Sequence, residues 1–169
     1  MMVRVFGIAA QSVVDGPGLR LAVFTQGCPF HCPGCHNPAA LDFEGGYEVS
    51  AEEILAEFDK NPLLAGITLS GGEPVCQAEA LLPIAAAVRE RRKDIVIFSG
   101  YTFEELLSMS EQDSALSELL ALSRLLIDGR FEQAEKDPAL RFRGSRNQRV
   151  LDLPESLAAG RAIWAKGYE

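Results

Sequence analysis

The chain has 169 residues, 47% of them hydrophobic and 24% charged, with a formal charge of −8 at pH 7. That composition suits one globular domain over residues 1–169 and excludes disorder or a fibrous repeat, while the acidic balance argues against a surface that tracks nucleic-acid phosphates. No apolar run approaches the roughly 20 residues of a membrane span, and the opening MMVRVFGIAAQSVVDG lacks the order of a signal peptide, so a cytoplasmic protein without nucleic-acid or membrane partners is expected.

Taken in chain order, LRLAVFTQG (19–27) is apolar and β-branched enough for a buried strand, and it runs into the loop QGCPFHCPGCHNP (26–38). Residues 50–59 read as a helix, opened by Ser50 three residues before Glu53 in a capping-box pattern. GITLSGG (66–72) is a second strand, followed by a helix over 77–92 in which Pro83 is a kink or early-turn residue. DIVIFSG (94–100) is a third strand, TFEELLSM and SALSELLALS a third helical region, and RLLIDG (124–129) a fourth strand. PESLAAGRAIWA (154–165) reads as a last helix with Pro154 near its first turn, within a C-terminal segment 141–169. Alternating strands and helices imply parallel strands joined by crossovers. A closed eight-stranded barrel needs about 250 residues, so the expected α/β fold is a partial, open (β/α) barrel of four to six mainly parallel strands, with function at their carboxyl ends.

The informative residues fall there. Cys28, Cys32 and Cys35 form C-x3-C-x2-C after the first strand, held in a loop by Pro29, Pro33 and Gly34. In a reducing compartment clustered cysteines are more often metal ligands than disulfides. Structural zinc closes its tetrahedron with a fourth ligand, here His31 or His36. An iron–sulfur cubane given three thiolates instead keeps one iron open. Both readings stand on the spacing alone.

The cysteine spacing together with the GGE of SGGEP (70–74) resembles the radical S-adenosylmethionine superfamily. Within it, DGPG (15–18), GCPFHCPGCHN (27–37), SGY (99–101), LIDGRFEQAEKDPAL (126–140) and RGSRNQR (143–149) resemble the anaerobic ribonucleoside-triphosphate reductase activating proteins over roughly residues 4–150. Pyruvate formate-lyase activating enzymes share VDGPG and CHNP but are longer and lack the RGSxNQ ending. The resemblance implies a [4Fe–4S] cluster on Cys28, Cys32 and Cys35, and S-adenosylmethionine on its open iron. It also implies a 5′-deoxyadenosyl radical that leaves a glycyl radical on the large chain of the reductase. A flavodoxin is the implied electron donor.

Further residues take roles beside that chemistry. Gly71 and Gly72 let backbone approach a ligand, and Glu73 can accept hydrogen bonds from the amino group of the methionyl moiety. Gly34, Cys35, His36 and Ser70 are cofactor neighbours by position, and Asn37 contacts cofactor or loop. Ser99 and Asp128, each at a strand end, are candidates to meet the ribose. Against these, His31 faces solvent, Cys76 reads as a small buried hydrophobe, and Trp164 as packing. Arg141, Arg143, Arg146 and Arg149 meet a carboxylate or a partner, or form a solvated basic stretch. One departure is Gly34: many superfamily members place an aromatic residue there, before the third cysteine, to stack on adenine. Finally, a partial barrel leaves an open flank through which a protein glycine can enter, so a lateral groove beside the cysteine loop is expected.

Overall fold

The computed structural model describes residues 1–169. In chain order its elements are β1 (Met2–Ser12), β2 (Arg20–Thr25), β3 (Tyr47–Ser50), α1 (Ala51–Asp59), β4 (Gly66–Gly71) and α2 (Ala78–Glu90). These are followed by β5 (Asp94–Phe98), α3 (Phe103–Ser110), α4 (Ser114–Leu122), β6 (Leu125–Asp128), β7 (Arg149–Asp152) and α5 (Leu153–Ala159). One sheet orders the strands β3-β1-β2-β4-β5-β6-β7. Its centre, β2, β4, β5 and β6, is parallel, whereas β1 and β3 pair antiparallel on one side and β7 on the other.

The sheet does not close, because β3 and β7 remain its two edges. The open α/β architecture and its four parallel strands are therefore as expected. Three antiparallel strands carry the total to seven, beyond the four to six expected. They escaped notice for local reasons: β1 mixes Gly7, Ala9, Ala10 and Gln11 and twice slips register against β2, and β3 and β7 are four residues each.

The helices pack on one face. Ile67, Leu69, Ile95, Ile97, Leu126 and Leu151 point to that side and are buried with Ile54, Leu81, Ile84 and Leu106 from the helices. Successive strand residues alternate faces, so Arg20, Ala22, Phe24, Thr68, Ser70, Val96 and Phe98 line the concave face. At its amino end that face is sealed. The fully buried Arg20 donates to the Thr68 hydroxyl at 2.8 Å and to the carbonyls of Pro17 and Ile67, and pairs with Asp94. Thr68 in turn donates to the carbonyl of Asp15 at 2.6 Å. The DGPG segment is thus strapped across the bottom of the partial barrel, leaving the carboxyl end open.

Two local expectations change. At Ser50 only the hydroxyl-to-Glu53 half of the cap forms; the reciprocal box is at Thr102 and Glu105. The last helix stops at Ala159, because Gly160 adopts φ +70° and caps it through its N–H to the Ser156 carbonyl. The chain then reverses, and Trp164 bridges to Leu151 as strand-like backbone instead of continuing the helix to residue 165. Pro154 sits in the first turn of α5 as expected, and Pro83 lies inside α2.

Candidate functional site: a three-cysteine loop over a buried glutamate

The loop after β2 is shaped by backbone before any side chain acts. Gly27, at φ +103°, donates to the Ala40 carbonyl at 2.7 Å, and Cys28 donates to that of Leu41 at 3.1 Å. The Gln26 amide donates to the carbonyls of Ala39 and Asp42, closing the base of the loop. Cys28 is buried and Cys32 and Cys35 are half-buried; the N–H of Cys35 reaches the Cys32 carbonyl at 3.1 Å. Burial pushes the Cys28 thiol up to about 11, so this sulfur sheds a proton when it takes a metal.

The end of β4 is stitched to this loop. Gly72 donates to the Thr25 carbonyl and Glu73 to the Gly27 carbonyl, both at 2.8 Å. A side chain at Gly71 has no room, since its Cβ would stand 2.2 Å from the Thr25 nitrogen, and its φ is +104°. Glu73 is 1% exposed. Its carboxylate accepts from the Gly100 N–H at 2.7 Å, the Ser99 hydroxyl at 2.9 Å and the Val75 N–H at 3.2 Å. Burial nevertheless pushes its pKa up to about 7, since these neutral donors only partly replace water.

The three cysteines, His36, Asn37, Ser70, Gly71, Gly72, Glu73 and Ser99 line one cavity of about 180 Å³ at the carboxyl end of the parallel strands. Two expected site residues are elsewhere. Gly34 is exposed on the loop. Asp128 points to the helix side, where it accepts from the Phe103 N–H at 2.7 Å and pairs with Arg149. Its neighbour Ile127 faces the cavity instead. Phe30, Phe98, Gly129, Arg130, Phe131 and Gln148 also border it and were not anticipated. Four of them lie in motifs visible in the sequence: Gly129, Arg130 and Phe131 follow directly on the strand-ending Asp128, and Gln148 lies in RGSRNQR.

Other side chains take up structural positions. Cys76 is exposed, not buried, because the turn Pro74–Gln77 carries its side chain outward, and His31 is exposed. The arginine-rich stretch is mostly spent within the chain. Arg143 donates to the carbonyls of Gln148 and Tyr168 and lies 5.0 Å over Trp164, Arg146 pairs with Glu135, and Arg149 with Asp128 and Glu104. Arg141 lies over the rings of Phe142 and Tyr168.

Beside the cysteine loop a second cavity of about 650 Å³ opens along the concave flank, sharing His36, Asn37, Ser70, Phe98 and Phe131 with the first. It is the lateral groove that an open barrel leaves. No three His, Cys, Asp or Glu side chains converge tightly enough to hold one metal ion. Three thiols around one cavity can hold three corners of an iron–sulfur cubane, which keeps its fourth iron open.

Known proteins share this plan. A family model described as a 4Fe-4S single cluster domain matches residues 14–151. The anaerobic ribonucleoside-triphosphate reductase-activating protein of Vibrio cholerae is 36% identical over 144 residues, 80% of this chain and 89% of that protein. Its Escherichia coli K12 counterpart is 33% identical over 149 residues, 83% and 93% of the two chains. The pyruvate formate-lyase-activating enzyme of Clostridium pasteurianum is 37% identical over 122 residues, covering 66% of this chain but 50% of its own length. Among solved structures, QueE from Escherichia coli overlaps 60% of this chain and 54% of its own at 17% identity, with a TM-score of 0.48. The cysteine loop, the glycine–glutamate strand end and the match over nearly the whole of the curated relatives place this chain in the family of anaerobic ribonucleoside-triphosphate reductase-activating proteins, built on a 4Fe-4S single cluster domain.

Proposed function

We propose that this chain, as one radical S-adenosylmethionine domain, generates a glycyl radical on the large chain of an anaerobic ribonucleoside-triphosphate reductase. The observation that carries the reading is that Cys28, Cys32 and Cys35 share one cavity with Gly71, Gly72 and Glu73, and that this cavity opens onto a flank groove. Cys28, Cys32 and Cys35 would hold a [4Fe–4S] cluster there, which would supply the electron for reductive cleavage of S-adenosylmethionine and so for removal of a hydrogen atom from glycine, with methionine and 5′-deoxyadenosine as the other products.

The residues present divide the remaining work. The three thiolates would hold the cluster by three of its irons, leaving the fourth open to S-adenosylmethionine. Glu73, buried and already surrounded by donors, offers its carboxylate to the methionyl ammonium; a cation there offsets the desolvation that raises its pKa. Gly71 and Gly72 keep the strand end low enough for that approach, while Ser70, Ser99, His36 and Asn37 border the rest of the cofactor. Asp128 acts through Arg149 and α3 and not at the ribose. The groove receives the glycine-bearing loop of the partner, and its apolar walls, including Phe98 and Ile127, limit water at the radical. Reduced flavodoxin or a similar low-potential donor supplies the electron, and the reaction belongs to the cytoplasm. No helix is long and apolar enough to cross a membrane.

The test mixes anoxically reconstituted, reduced protein with S-adenosylmethionine and the reductase large chain. The expected products are 5′-deoxyadenosine and a glycyl EPR doublet. The nucleoside without the doublet retains the cleavage chemistry and discards this partner, in which case pyruvate formate-lyase is the next substrate to try, given the match to its activating enzyme. Zinc at one per chain without sulfide removes the radical reading altogether.

A further inference from the structure

Resting on the activase reading, we infer that Phe131 is the platform on which the adenine of S-adenosylmethionine stacks. A nucleobase needs a flat apolar surface, and stacking on an aromatic ring is the usual provision. Four rings border the cysteine cavity: Phe30, His36, Phe98 and Phe131. Phe30 is already engaged, with the Arg130 guanidinium 4.3 Å from its centroid and Tyr101 set edge-on at 4.8 Å. Phe98 packs into the concave-face cluster with Val96 and Ile127. His36 is tilted 57° to Phe131 at 5.4 Å and leans on that ring as an edge. Phe131 borders both the cysteine cavity and the flank groove, so it stands where a ligand held at the thiols must turn toward the opening.

The ring is also seated by construction. A Cβ on Gly34 would lie 3.1 Å from Phe131 Cε2, and one on Gly144 would lie 3.1 Å from its Cδ1 and 3.2 Å from its Cε1. The Gln133 amide, 1.9 Å from the same position on Gly34, and His36 Nε2, 3.1 Å from that on Gly144, share these spaces, so two glycines distant in sequence make room for the ring together with its neighbours. Gly34 immediately precedes Cys35, so the ring is tied to the loop that carries the thiols; the aromatic surface missing at position 34 is supplied from the end of β6. The other side of the seat is locked by the 143–149 stretch. Gln148 donates to the Gly129 carbonyl at 3.0 Å and accepts from the Gly144 N–H at 2.9 Å, while Asn147 donates to the Arg130 carbonyl at 2.8 Å. Those three bonds fix Gly144 against the segment 129–131 and give RGSRNQR a task that its arginines do not explain.

Equilibrium dialysis of anoxically reconstituted holoprotein tests this with two probes, S-adenosylmethionine and 5′-deoxyadenosine, which share only the adenosyl part. Phe131→Leu is expected to weaken both by the same factor, about tenfold, and Phe131→Tyr to restore both. Iron content and the EPR spectrum of the reduced cluster at saturating S-adenosylmethionine stay as in the parent protein. Unchanged affinities in Phe131→Leu, or a loss confined to S-adenosylmethionine, overturn the assignment, as does loss of cluster in both variants. A parent protein that carries the cluster and binds neither probe overturns the activase reading, and this inference with it.

Discussion

The guanidinium of Arg130, at the end of β6, lies 4.3 Å over the ring of Phe30 in the cysteine loop, while its two terminal nitrogens reach both carboxylate oxygens of Glu105 at 2.8 and 3.1 Å. One side chain therefore ties the loop that holds the thiols to the first turn of α3. A cation–π contact contributes about 0.5–2 kcal/mol, whereas a half-exposed ion pair contributes about 0–1 kcal/mol. Arg130→Met should thus loosen the loop more than Glu105→Gln does. The expected outcome is a several-fold faster loss of iron to a ferrous chelator in Arg130→Met, a smaller change in Glu105→Gln, and little shift in melting temperature for either. Equal chelation rates in all three proteins would show that the contact does not hold the loop.

A pH effect follows from Glu73. Its pKa is pushed from 4.5 up to about 7 by burial, so the folded, metal-free protein holds this proton where the unfolded chain has lost it. A raised carboxyl stabilises the fold below about pH 4.5 and loses that contribution as pH rises through about 7. The span corresponds to on the order of 3 kcal/mol at most. Urea midpoints of metal-free, reduced protein at pH 5 and pH 8 should differ more in the parent than in Glu73→Gln, which has nothing to titrate there. Parallel behaviour of the two proteins would remove Glu73 as the cause.

Arg149 donates through Nε and Nη2 to the two oxygens of Asp128, which is 1% exposed, and reaches Glu104 at 2.7 Å. The pair makes the guanidinium still harder to deprotonate and joins β7, β6 and α3. Removing one partner of a buried pair leaves a charge without compensation, at a cost of about 3–5 kcal/mol. Arg149→Met should lower the melting temperature strongly, and Asp128→Asn less, because the amide oxygen still accepts from the Phe103 N–H. Thermal unfolding followed by circular dichroism checks the order; a larger loss in Asp128→Asn would reverse the argument.

Asp128 also shows where sequence reasoning ends. The four parallel strands and the gathering of Cys28, Cys32, Cys35 and Glu73 at their carboxyl ends were legible, because apolar runs ending in glycine carry a strong local signal. The face to which a strand-end residue points depends on register and on where pairing stops. One step along β6 exchanges Ile127, in the cavity, for Asp128, on the helix side. Phe131 and Gln148 were missed as site residues for a related cause: both lie in motifs visible in the sequence, but the segments that carry them are joined by hydrogen bonds across almost twenty residues. The antiparallel strands β1, β3 and β7 have weak patterns of their own and exist by pairing with a sheet already formed. Trp164 turns back because Gly160 ends the helix, a break easily read as tolerated within an apolar periodic run.

The strand end at Gly72 gives the most exacting test of how the site is assembled. An added Cβ would stand 2.4 Å from the Gly27 carbonyl oxygen and 2.8 Å from that of Ala40, both of them backbone that cannot swing aside. Those oxygens already accept from the N–H groups of Glu73 and Gly27. Gly72→Ala must therefore push β4 away from the base of the cysteine loop, straining or breaking two hydrogen bonds next to Cys28. Overpacking of this kind costs about 1–3 kcal/mol. At Gly7, in β1, an added Cβ meets nothing within 4 Å, so Gly7→Ala is the matched control, expected within about 0.5 kcal/mol of the parent. Iron bound after anoxic reconstitution should fall in Gly72→Ala by more than its melting temperature suggests, because the displaced backbone carries a ligand. If Gly72→Ala takes up iron as fully as Gly7→Ala, the cysteine loop does not depend on the β4 end for its shape.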